Sequence, residues 1–82
     1  MFFVYIIYSN SSDRYYTGYC SNIENRLEKH NLGATPSTRP YRPWKLVYLE
    51  EYESKREAIL REKEIKKQKS RKYIESLIAQ NG

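Results

Sequence analysis

The chain opens on an unbroken apolar run. Residues 2–8, Phe-Phe-Val-Tyr-Ile-Ile-Tyr, are β-branched or aromatic at every position, which predicts a buried strand. Ser9-Asn10-Ser11-Ser12-Asp13 follows, a set of short polar side chains that bond their own backbone and predict a turn. Residues 14–19, Arg-Tyr-Tyr-Thr-Gly-Tyr, read as a second strand, and the two form a hairpin. Tyr5 and Tyr16 share a face of that hairpin only if paired residue numbers sum to an odd value. Pairing Ile7 with Tyr16 is one such register, and it sets Tyr5 diagonal to Tyr16.

The period then changes. Ser21-Asn22-Ile23-Glu24 has the form of a capping box with Ser21 as the cap, so a helix should follow and end at Asn31-Leu32-Gly33. Ile23, Arg26, Leu27 and His30 recur at helical spacing on it and share one face, which must pack on the sheet. Residues 33–43 hold Gly33, Pro36, Pro40 and Pro43 and read as a loop. It is long for so small a domain, and such loops tend to carry function. Trp44 to Tyr52 alternates in part and predicts a third strand. Ser54-Lys55-Arg56-Glu57 is a second capping box, opening a helix to about Gln68. Residues 70–79, with Ile74, Leu77 and Ile78 at helical spacing, predict a last helix. The expectation is one α+β domain over 1–82. It has a small three-stranded antiparallel sheet flanked by helices, in the order β-β-α-β-α-α.

Composition narrows the class. A chain of 82 residues buries only about 60–65% of its unfolded surface, so the core is thin. Cys20 is the single cysteine, which excludes an internal disulfide and a zinc site. The run from Met1 to Tyr8 lacks the basic lead and small-residue cleavage site of a signal peptide, and no stretch has the length of a membrane span. The expected setting is cytoplasmic, with no membrane partner. Fifteen Lys+Arg against ten Asp+Glu leave a formal charge of +5, and nine tyrosines are unusually many. Both suit a nucleic-acid partner. Arg61, Lys63, Lys66, Lys67, Lys69, Arg71 and Lys72 crowd the junction of the last two helices. With Arg39, Arg42 and Lys45 they form a candidate surface for tracking a phosphate backbone without reading sequence. The plainer reading is a solvated helix face.

Candidate chemistry rests on residues that each have an ordinary explanation. Tyr5 and Tyr16 can be core tyrosines. Arg26 can snorkel and His30 can cap the edge of the core. Glu62 falls on the apolar stripe of its helix with Ala58 and Ile65, where a carboxylate is costly unless paired or bound to metal. A structural ion pair with Arg26 would account for it. Taken together, two phenols, a guanidinium, an imidazole and a buried carboxylate make a poor core and read as an active site.

The ordered set Phe3-Val4-Tyr5, Tyr16-Thr17-Gly18, Arg26 and His30 resembles the GIY-YIG nuclease family, of the small stand-alone kind found in bacteria. The segment from Glu57 to Lys66, which carries Glu62, resembles that family's metal-binding helix, and the likeness spans residues 2–78. It implies hydrolysis of a DNA phosphodiester in repair or recombination, with one Mg²⁺ or Mn²⁺ held by Glu62. Arg26 would face the developing charge of the phosphate. Tyr5 or Tyr16 would deprotonate or orient the attacking water, which requires nearby positive charge from Arg26, the metal or His30 to lower a phenol pKa. His30 is the other candidate base. Two positions depart from the family's habit. Tyr19 stands where many members carry lysine, and the last helix offers Lys69, Arg71 and Lys72 where an asparagine is common. The alternatives are a nucleic-acid-binding module that does not cut and a protein-interaction domain. With no separate DNA-reading module in view, DNA binding would lean on a homodimer or a targeting partner.

Overall fold

In the computed structural model, which describes residues 1–81, β1 spans Phe2–Ser9, β2 Arg14–Cys20 and β3 Trp44–Tyr52. The helices are α1 at Ile23–Leu32, α2 at Lys55–Gln68 and α3 at Arg71–Asn81, with a short 3₁₀ turn at Arg39–Tyr41. β1 is the central strand of an antiparallel sheet ordered β2-β1-β3. That position explains its unbroken apolar sequence, because both of its faces are covered. Val4 and Ile6 pack with Ala58, Ile65 and Leu77 beneath α2 and α3. Tyr5 and Ile7 pack with Cys20 and Trp44 against Ile23 and Leu27 of α1. The result is three layers, α1 on one face of the sheet and the α2–α3 pair on the other. None of the described helices is long and apolar enough to cross a membrane.

The hairpin adopts the register with Ile7 opposite Tyr16, which sets Gly18 opposite Tyr5. A shift in the β1–β3 ladder between Ile6 and Ile7 lets Ile6 pair Tyr48 and Ile7 pair Leu46. The turn closes on buried Ser9, whose hydroxyl donates to the Tyr41 carbonyl at 2.5 Å.

α1 begins one residue later than the Ser21 box predicts. Asn22, extended at φ −141°, is the cap, and its Oδ1 accepts from the Asn25 N–H at 3.0 Å. β2 runs on to Cys20, so the chain uses Ser21 to turn, and Asn22 caps as well as serine does. At α2 the Ser54 Oγ accepts from the Glu57 N–H at 3.2 Å and donates to the Glu57 carboxylate at 3.0 Å. Gly33, at φ 82°, ends α1 in the left-handed conformation that glycine adopts without cost. The long loop is stitched down rather than free. The Asn31 side chain bonds both the N–H of Trp44 (2.6 Å) and its carbonyl (3.1 Å), fastening the end of α1 to the start of β3.

Candidate active site

β2 has no strand on its outer side, so side chains from both helical layers can meet around its edge. There a cleft of about 520 Å³ is lined by Tyr5, Tyr16, Gly18, Arg26, Lys55 and Glu62, with Tyr19 beside them. Tyr5 starts on the central strand and reaches this edge across Gly18. A Cβ at Gly18 would lie 2.5 Å from the Tyr5 hydroxyl, so only glycine leaves that path open. The glycine of the Tyr-Thr-Gly motif is thereby tied to the placement of the first tyrosine rather than to a turn.

Behind Tyr5 runs a buried hydrogen-bonded chain. The Tyr5 hydroxyl, 2% exposed as a residue, lies 2.9 Å from His30 Nε2. His30, 1% exposed, places Nδ1 2.8 Å from the Thr38 Oγ1. The Thr38 hydroxyl donates to the Thr35 carbonyl at 3.3 Å. With its one proton spent there, Thr38 Oγ1 accepts from His30 Nδ1–H. Nε2 is then the unprotonated nitrogen and accepts from Tyr5. Thr38 is itself fixed from the other side, where Trp44 Nε1 donates to its carbonyl at 3.0 Å. The Tyr16 ring meets His30 edge-on, with centroids 5.2 Å apart.

Burial sets the protonation of this chain. Removal from water pushes the Tyr5 phenol up, the Tyr16 phenol adds to that, and the pull of Arg26 in the other direction is smaller. The expectation of a phenol lowered by its surroundings is therefore reversed for Tyr5. His30 is shifted down, first by burial and then by the Arg26 charge, so it stays neutral at pH 7. His30 does not line the cleft; it stands behind Tyr5 as its hydrogen-bond partner.

The ion pair expected between Glu62 and Arg26 is not formed. Glu62, with a side chain 15% exposed, pairs with Lys66 one turn along α2 at 3.3 Å. Helical i,i+4 spacing brings Lys66 to it, while Arg26 projects from the other layer. Arg26 is exposed and forms no ion pair among the described residues, which leaves its guanidinium fork open to an anion. Among the described residues no three or more His, Cys, Asp or Glu side chains gather into a metal cage. One carboxylate on an open cleft suits Mg²⁺ or Mn²⁺ all the same, since such hard ions use one or two carboxylates and fill the rest of their shell with water and substrate phosphate.

The predicted cationic surface is dispersed. Arg61 faces inward, held by both Glu50 oxygens at 2.9 and 3.0 Å and also bonded to Glu64 and Tyr73. Arg71 is tied to Asp13 at 2.6 Å and to Glu75 at 3.2 Å. Arg39 donates to the Gly33 carbonyl and Arg42 to that of Arg39, and both line a separate hollow with Asn31 and Pro40. Lys45 lies on the edge strand opposite β2. Lys63, Lys67 and Lys72 are exposed on α2 and α3, whereas Lys66, Lys69 and Arg71 line a hollow beside the cleft. Lys55 and Thr38 are the two positions that sequence reasoning passed over. Lys55 carried a signal, as the first residue after a helix cap, but Thr38 sat unmarked in the long loop.

A family model described as the GIY-YIG catalytic domain matches residues 1–74. UPF0213 proteins of Staphylococcus aureus strains Mu50 and N315 are each 49% identical to the chain over 65 residues, covering 78% of it and 78% of the relative. The solution NMR structure of a UPF0213 protein from Bacillus halodurans covers all of the chain and 87% of its own, at 34% identity and a TM-score of 0.62.

Proposed function

The chain belongs to the GIY-YIG nuclease family, and from that premise we propose that it is a metal-dependent DNA endonuclease, hydrolysing phosphodiester bonds in repair or recombination. The observation that carries this reading is the convergence of Tyr5, Tyr16, Arg26 and Glu62 on one open cleft, although they come from three different layers of the fold. Arg26 binds the non-bridging oxygens of the phosphate and stabilises the charge that grows there. Tyr16 orients the attacking water. Tyr5 accepts the proton of that water as its own proton passes to neutral His30 Nε2. The water oxygen forms the new bond to phosphorus, the bond to the sugar oxygen breaks, and that oxygen leaves with the electron pair and takes a proton from solvent. The opposed shifts of Tyr5 and His30 suit this transfer, one group kept as donor and the other as acceptor. Glu62 is the group to hold one Mg²⁺ or Mn²⁺, which when bound would neutralise phosphate and leaving-oxygen charge.

The Lys66 ammonium on Glu62 favours a second reading, a DNA-binding module that no longer cuts, because it already neutralises the one metal-ligating carboxylate. A nicking assay on branched, flapped and duplex DNA separates the two. Under the endonuclease reading, cutting requires Mg²⁺ or Mn²⁺ and disappears in Glu62→Gln. It falls by about 100-fold or more in Tyr5→Phe, the size of a lost general base. Salt-sensitive binding with no cutting under either metal would select the module.

A further inference from the structure

Sharing Tyr16 with the cleft is a second hollow of about 510 Å³. Its floor is apolar, with Ile65, Ile74 and the buried Trp44. Tyr15 and Tyr41 wall it, each carrying a guanidinium on its ring. Arg14 lies 4.3 Å over Tyr41, and Arg71 lies 5.0 Å over Tyr15. The rim is cationic. Arg14, Lys66, Lys69 and Arg71 stand against the single carboxylate Asp13, which Tyr8 and Arg71 already occupy at 2.6 Å each. Neither Arg14 nor Lys69 has an ion-pair partner among the described residues.

This combination discriminates between forms of nucleic acid. A continuous duplex presents phosphates on a convex surface, with its base faces stacked inside. It can meet the rim but has nothing to insert into an aromatic-walled hollow. An unpaired nucleotide offers both a phosphate for the rim and a free base face for ring and guanidinium planes. The volume is within the range of about 300–1,000 Å³ that small-ligand sites occupy, enough for one nucleotide.

We propose that this hollow takes an unpaired nucleotide of the same strand whose phosphate enters the neighbouring cleft, so that the substrate class is single-stranded or forked DNA rather than continuous duplex. The inference rests on the nuclease reading for the direction of the strand, but its test does not depend on cutting.

Fluorescence anisotropy in EDTA, with labelled single-stranded, forked and blunt duplex oligonucleotides of equal length, reads the hollow directly. The expected result is single-stranded and forked DNA bound at least about tenfold more tightly than duplex. Tyr41→Leu, which keeps apolar volume and charge, should cut that preference about fivefold or more, with duplex affinity unchanged. If Tyr41→Leu does not fold, exposed Arg14→Gln replaces it. It should lower the salt slope for single strands by about 0.7, the value of one phosphate contact. Equal affinity for duplex, no binding, or a Tyr41→Leu that weakens all three DNAs alike would overturn the proposal. So would an Arg14→Gln that leaves the slope intact. Preference for unpaired DNA without any cutting supports the hollow and overturns only the nuclease reading. Cutting of duplex by a protein with no such preference does the reverse.

Discussion

Thr38 shows how much a single buried hydroxyl decides. It is fully buried, and its Oγ1 gives His30 Nδ1–H the acceptor that fixes the tautomer presented to Tyr5. Thr38→Val keeps the shape and deletes the acceptor. The protein should lose about 1–3 kcal/mol of stability, the cost of a buried donor left unpaired. The imidazole can recover a partner only by moving its proton to Nε2, which turns Tyr5 from donor to acceptor and blocks the transfer to His30. Nitrogen chemical shifts of the His30 ring should therefore report Nδ1–H in the native protein and Nε2–H in Thr38→Val. Thr38→Ser should restore the native pattern. An unchanged tautomer in Thr38→Val would remove Thr38 from the positioning of Tyr5. Nothing in the sequence marked this residue, because the loop has no period and the contact depends on how Gly33 and the 3₁₀ turn fold it back. Tyr5, Tyr16 and Gly18 were legible because strand alternation and the hairpin register determine which side chains share a face. The pairing of Glu62 was not, since two cations were in reach and helix spacing favoured Lys66.

At the scale of elements, the strands and helices followed from their patterns, and the differences lie at ends and in polar interiors. Asn22 for Ser21 is a choice between two competent caps. Arg61 is a deeper case. In sequence it is one cation among many on α2, but it crosses to β3 and forms a bidentate pair with Glu50. Tyr48 and Tyr52 also donate to that carboxylate, and Arg61 further bonds Tyr73 of α3. Burial pushes the Glu50 carboxyl up, and the hydrogen bonds from Arg61, Tyr48 and Tyr52 together overcome it and hold it down. One cluster thus joins β3, α2 and α3. Both charged side chains are mostly out of water, so removing one strands the other. Arg61→Met should cost roughly 2–3 kcal/mol by urea denaturation, below the full buried-pair value because both groups retain some solvent. The double variant Arg61→Met, Glu50→Met should recover most of that loss. If the double variant is as unstable as the sum of the singles, the two residues are not a unit.

The whole molecule places its candidate chemistry at the one edge where both helical layers are accessible, and it keeps the proton-handling pair beneath that surface. Neutral His30 is thus a condition of the fold as well as of the proposed reaction, and stability should report it. His30 is faced by Tyr5 from β1, Tyr16 from β2, Thr38 from the loop and the charge of Arg26 on its own helix. Its folded pKa lies below the model value of 6.5, so the unfolded chain binds a proton first as pH falls. The stabilisation is therefore complete above pH about 6.5 and is lost progressively below it, until the folded state also takes the proton. The slope cannot exceed about 1.4 kcal/mol per pH unit, the limit for one proton. Glu50 and Asp13 are also shifted down, but from carboxylate values, so their contributions fall away only in more acid solution. Stability measured by urea denaturation from pH 8 to 3 should decline in two stages. His30→Gln should lower stability overall and flatten the upper stage alone. A decline beginning only below pH 5, or an upper stage that persists in His30→Gln, would mean that His30 carries a proton in the folded protein, and with it the proton path from Tyr5 would fail.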